Sequence, residues 1–96
     1  MTVHGEQLSE QKVKELMASV PDWTLGEDLI SRELRFENIR ESMTFAESVV
    51  DLAEEQAHHP DIYISMNHVT LVLSTHKVGG LTQDDFRLAQ AIDRLL

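Results

Sequence analysis

Apolar residues change their spacing several times along the chain, and each change marks an element. Between residues 8 and 20, Val13, Leu16, Met17 and Val20 form one stripe at helical spacing, with Ser9 placed to cap it and Glu10 in its first turn. A helix over Leu8–Val20 is therefore expected, ended by Pro21-Asp22. Trp23–Leu25 reads as a short strand turned at Gly26-Glu27-Asp28. It leads into Leu29–Phe36, where Ile30, Arg32, Leu34 and Phe36 alternate with Leu29, Ser31, Glu33 and Arg35. Asn38 to Ala57 returns to helical spacing. Asn38 and Glu41 resemble a capping box, and Ile39, Met43, Ala46, Val50, Ala53 and Ala57 form a stripe widened by Phe45, Val49 and Leu52. Pro60 disfavours helical geometry at His59. Ile62, Ile64 and Met66, then Val69, Leu71 and Leu73, alternate as two strands joined near Asn67-His68. Gly79-Gly80 breaks the chain. Thr82 then caps a last helix reaching Leu96, with Leu88, Ile92 and Leu95 as its core stripe.

The order α-β-β-α-β-β-α predicts an α+β fold, a four-stranded antiparallel sheet covered on one face by helices. Residues 1–96 carry no repeat or linker and read as a single domain. The apolar fraction of 42% is enough for a folded core, and a core this modest leaves room for self-association. A net charge of -9, with the eight Lys and Arg scattered, argues against direct nucleic-acid binding and against an anionic membrane surface. The absence of cysteine excludes disulfides, thiol catalysis and cysteine-held metals. The start, Met-Thr-Val-His-Gly-Glu, lacks a signal-peptide pattern, and no apolar run is long enough to span a bilayer, so the cytoplasm is the expected location.

The candidate chemistry lies after the long helix. His58 and His59 follow its C-terminus, where unpaired carbonyls favour a protonated imidazole, and Glu54 one turn earlier adds to that field. His76 ends the last strand beside the glycine turn. A hairpin return would bring it back toward His58-His59 across the 18 residues that separate His58 from His76. Plainer explanations fit the same residues. Adjacent histidines at a helix end can be solvated, His76 can be a surface residue, and Glu54 beside Glu55 can be a solvated carboxylate. Thr82-x-x-Asp85 is a capping-box pattern that would occupy Asp85 structurally. Trp23 reads as core, and His4 and His68 carry no role. Three histidines could hold zinc, but neighbouring histidines rarely reach one ion, and no His-x-His or His-x3-His pair is present. Ser65, Ser74 and Thr75 lack the Gly-x-Ser-x-Gly elbow of a nucleophile.

Glu54-x3-His58-His59-Pro60, His76 sixteen residues after Pro60 and Asp85 nine residues later, with Leu73-Ser74-Thr75-His76 and Gly80-Leu81-Thr82, resemble the signature of the pterin-4a-carbinolamine dehydratase family. The resemblance covers nearly the whole chain. It implies a lyase that dehydrates 4a-hydroxytetrahydropterin to quinonoid dihydropterin in tetrahydropterin recycling, with the pterin as substrate and no metal or organic cofactor. It implies essential histidines at His58, His59 and His76, with Asp85 in support. Substrate would lie against His58-His59-Pro60 and Thr75-His76-Lys77-Val78, with Glu54 at the acidic position that opens the motif. It also implies a homodimer or a tetramer built from dimers, for which Leu88, Ile92, Leu95 and Leu96 are a candidate association surface if they are not core.

Loss of hydroxide from C4a and of a proton from N5 needs one acid and one base, each contributing about 10²–10⁴-fold. His58 and His76 can fill those roles, His59 can bind the pterin, and Asp85 is expected to orient His76. One departure is Met66, where the family commonly has an aromatic residue. Two other functions are compatible with this resemblance: a non-catalytic interaction or assembly module on the same fold, and a pterin role in molybdenum-cofactor metabolism.

Overall fold

The computed structural model describes residues 5–96; His4 lies outside them. The elements are α1 (Glu10–Met17), β1 (Thr24–Leu25), β2 (Ile30–Arg35), α2 (Ile39–Gln56), β3 (Asp61–Ser65), β4 (His68–Leu73) and α3 (Gln83–Asp93). The four strands form one antiparallel sheet in the order β1-β2-β4-β3. This is the α+β arrangement that the spacing predicts.

The helices are shorter than expected because their ends tighten into turns. Ser9 Oγ accepts from Lys12 N at 3.1 Å, so α1 begins at Glu10. At the other end Ala18, Ser19 and Val20 donate to the carbonyls of Glu15, Leu16 and Met17, which carries Val20 into the core outside the helix. Helix α3 stops at Asp93 rather than Leu96. Leu95 and Leu96 lie beyond it and are largely exposed, so Leu95 does not extend the core stripe.

Alternation places the core between sheet and helices. Val69, Leu71 and Leu73 of β4 and Ile30 of β2 are fully buried against Phe45, Val49 and Ala53 of α2 and Phe86, Leu88 and Ile92 of α3. The register puts Glu33, Thr70 and Tyr63 in one row on the opposite face, where Glu33 and Tyr63 are exposed. Asp93 ties α3 to the sheet by accepting from Trp23 Nε1 at 2.8 Å and from the Arg32 guanidinium. That clamp explains why Trp23 belongs to the core, with only its N–H needing a partner.

Two details differ from the sequence reading. The buried face of α2 is Ser42, Phe45, Ala46, Val49 and Ala53, while Ile39, Met43 and Val50 are about half exposed. The helix is turned so that the bulkier Phe45–Val49 edge meets the sheet, and Phe45 packs on Phe36. The β3–β4 hairpin turns at Met66-Asn67, one residue earlier than expected. Met66 takes φ 56 and is 72% exposed, and Asn67 Nδ2 and O hold the backbone of Phe36. Met66 is thus a turn residue and His68 the first residue of β4.

Candidate functional site

The chain around His58 is set by how α2 ends. Ala57 adopts a left-handed conformation (φ 53, ψ 40), its N–H reaches Glu54 O, and His58 N donates to Ala53 O at 3.0 Å. This is a Schellman-type closure with alanine where glycine is usual. It reverses the chain so that His58 turns inward while His59 remains outside.

The His58 side chain is 12% exposed, and its Nε2–H donates to Asp85 Oδ1 at 2.6 Å. Asp85 stands in the first turn of α3 and is completely buried. Its second oxygen, Oδ2, accepts from Thr75 Oγ1 at 2.8 Å and from the Thr82 backbone N–H at 2.9 Å. The Thr75 and Thr82 hydroxyls lie 2.9 Å apart. The imidazole is held above its ordinary pKa, first by the hydrogen bond to Asp85 and also by the charges of Asp85 and Asp84. Burial and Arg87 oppose the rise. With Nε2 committed, Nδ1 is the nitrogen left for exchange; among the described residues it has no hydrogen-bond partner.

His59 sits in a different setting. Its Nε2 contacts Glu54 Oε2, also at 2.6 Å, but the two side chains are 60% and 70% exposed. Pro60 is half-buried and leads directly into β3.

His76 opens the turn at 76–79, which is closed by paired backbone bonds between Thr75 and Gly80. Gly79 takes φ 66, which a side chain would strain. His76 and Lys77 are exposed and Val78 is half-buried. Among the described residues the His76 ring makes no hydrogen bond or ion pair.

The expected pairing of Asp85 with His76 is not what forms. Helix α3 packs on α2, so its first turn meets the end of α2, and Asp85 reaches His58 instead. The network also uses a group that the sequence reading treated only as a cap, the Thr82 hydroxyl. The capping pattern Thr82-x-x-Asp85 carries half of that signal, since Thr82 N does bond Asp85. Its link to Thr75 depends on the 75–80 loop and has no local signature.

Among the described residues no three His, Asp or Glu side chains are placed to hold a metal ion together. None of the site residues lines the cavity of about 480 Å³ between α1 and the β1–β2 turn. His59 and His76 instead stand at the surface, while His58 is largely enclosed.

The family model described as pterin 4 alpha carbinolamine dehydratase matches residues 6–95. The chain belongs to this family. Among curated proteins, it is 46% identical over 90 residues to one from Chloroflexus aurantiacus (strain ATCC 29366 / DSM 635 / J-10-fl), covering 94% of this chain and 97% of the relative. It is 40% identical over 89 residues to one from Thermomicrobium roseum (strain ATCC 27502 / DSM 5159 / P-2), covering 93% and 96%. Both are named "putative pterin-4-alpha-carbinolamine dehydratase". Among solved structures, a transcriptional coactivator/pterin dehydratase from Brucella melitensis superposes with a TM-score of 0.88 at 25% identity, over 94% of this chain and 98% of that one. A pterin dehydratase-like protein described as a RuBisCO assembly factor in the alpha-carboxysome superposes at 0.62 with 18% identity, over 76% and 84% of the two chains, a likeness of fold. Dehydratase family membership thus joins a fold in which, among the described residues, no helix is long and apolar enough to cross a membrane.

Proposed function

We propose that the chain is a 4a-hydroxytetrahydropterin dehydratase working by histidine acid–base catalysis. The observation that carries this reading is the contact of His58 with the fully buried Asp85 in a chain of the dehydratase family. An imidazole held above its ordinary pKa keeps its proton to higher pH than a free one and can give its Nδ1 proton to a leaving group. In the proposed step the C4a–O bond breaks as Nδ1–H of His58 protonates the departing hydroxyl, which leaves as water. The N5–H bond electrons form the C4a=N5 bond, and His76 takes the N5 proton. Solvent then returns a proton to His58 and removes one from His76. His59, with Glu54 and Pro60 beside it, binds the pterin, as do Thr75, Lys77 and Val78 from the neighbouring turn. The step as written uses only these side chains, water and substrate.

The interaction-module reading is supported by the descriptions of two structural neighbours as a coactivator and an assembly factor, the second on fold alone. It requires none of the His58–Asp85 geometry and ranks second for that reason. The deciding experiment generates the 4a-carbinolamine and follows its dehydration by ultraviolet absorbance. Wild-type protein is expected to accelerate the reaction well above buffer, and His76→Ala to lower the rate at least about tenfold. Wild type no faster than buffer rejects the enzyme; full activity in His76→Ala rejects His76 as the base. A chelator is expected to change nothing.

A further inference from the structure

Asp85 is the meeting point of three segments, the end of α2 through His58, the 75–80 loop through Thr75, and the start of α3 through Thr82. The directions of these bonds follow from chemistry. The Thr75 hydroxyl gives its proton to Asp85 Oδ2, so at the Thr75–Thr82 contact it can only accept, and Thr82 donates. The result is one directed chain, Thr82 O–H to Thr75 O–H to Asp85 Oδ2, with Asp85 Oδ1 turned to His58 Nε2–H. Thr82 is as buried as Asp85, so its hydroxyl has no water to fall back on.

We infer that Thr82 and Thr75 are positioning residues that act through Asp85, locking its carboxylate so that Oδ1 faces His58 and coupling His58 to the loop that carries His76. A carboxylate can rotate about its last bond. Two donors on Oδ2, one from a backbone N–H and one from a threonine, remove that freedom. The Thr75 backbone also pairs with Gly80 to close the turn opening on His76, so the hydroxyl ties the residue at the start of that turn to Asp85. Neither hydroxyl touches the imidazole; that of Thr75 acts on the carboxylate that does, and that of Thr82 acts on Thr75. The charged groups that act on His58 besides Asp85 are Asp84 and Arg87 of α3, and neither substitution below alters them.

The catalytic part of this inference rests on the proposed dehydratase activity; the coupling to His58 does not. Proton NMR titration of His58 needs no substrate, and it is paired with kcat and KM for the carbinolamine in Thr82→Val, Thr75→Val and the corresponding serine variants. Valine keeps the shape and removes the hydroxyl. Thr75→Val removes one donor from Oδ2, and Thr82→Val removes the partner that keeps the Thr75 hydroxyl turned toward Oδ2. Both are expected to lower the His58 pKa by about half a unit or more, because a carboxylate free to rotate holds the imidazolium less well. Thr82→Val is expected to lower kcat by roughly three- to tenfold with KM within about twofold, and serine at either position to restore the titration and the rate. An unchanged or raised His58 pKa in folded Thr82→Val overturns the inference, as does failure of serine to rescue. Should Thr82→Val not fold, Thr75→Val decides by the same readouts. Loss of folding in both overturns it by making the hydroxyls structural. A shifted titration in a protein without dehydratase activity keeps the coupling and rejects the function.

Discussion

His58 and His59 are adjacent, and each holds a carboxylate at 2.6 Å, yet the two pairs have little else in common. Asp85 is buried and bonded on both oxygens, and His58 is nearly so enclosed. Glu54 and His59 face water. Between exposed groups, solvent screening and side-chain entropy leave a pair worth about 0–1 kcal/mol. In the enclosed pair the same contact acts at lower effective dielectric and raises the pKa of the ring. Distance alone therefore does not separate the imidazole proposed as the acid from the one proposed to bind the pterin; the surroundings of their partners differ. The divergence begins with Ala57, whose left-handed turn sends one ring inward and the other out.

The strongest test of this contrast is substitution at the enclosed pair. His58→Ala is expected to lower the dehydration rate by about 10²-fold or more, and Asp85→Asn by at least about tenfold, in stopped-flow absorbance. Next comes pH. Because the folded pKa of His58 is raised, its pairing contributes stability that is full below the unfolded imidazole value of about 6.5 and is lost as pH rises through the folded value. Urea unfolding should show the advantage of wild type over Asp85→Asn to be larger near pH 6 than near pH 9. At the exposed pair, His59→Ala is expected to raise KM several-fold with kcat much less affected, and to change stability by no more than about 0.5 kcal/mol in the same unfolding assay. A fall in kcat matching that of His58→Ala would erase the distinction. Smallest is Ala57→Gly, which relieves the left-handed backbone and should stabilise by roughly 0.5–1 kcal/mol, with both histidines still in place.

The sequence carried the architecture well because the alternation of Val69, Leu71 and Leu73 and the caps Ser9 and Asn38 are local signals that the tertiary structure does not override. It carried the rotation of α2 poorly. Ile39, Met43 and Val50 are as apolar as Phe45 and Val49, and only packing decides which edge meets the sheet. At the site, the residues that belong to the family motif were legible, but their pairing was not. Asp85 and His58 are 27 residues apart, and nothing in their spacing says that α3 lays its first turn on the end of α2 rather than beside His76. The Thr82 hydroxyl was hidden behind its capping pattern, which gives no sign of its bond to Thr75.

The central claim is that Asp85 raises the pKa of His58, and the most direct measurement is the proton NMR titration of the His58 ring in wild type and in Asp85→Asn. The wild-type ring is expected to titrate above the ordinary imidazole value and to fall toward or below it in Asp85→Asn, where burial acts without the opposing carboxylate. A wild-type His58 that titrates at or below the ordinary value, or one that Asp85→Asn leaves unmoved, contradicts the account.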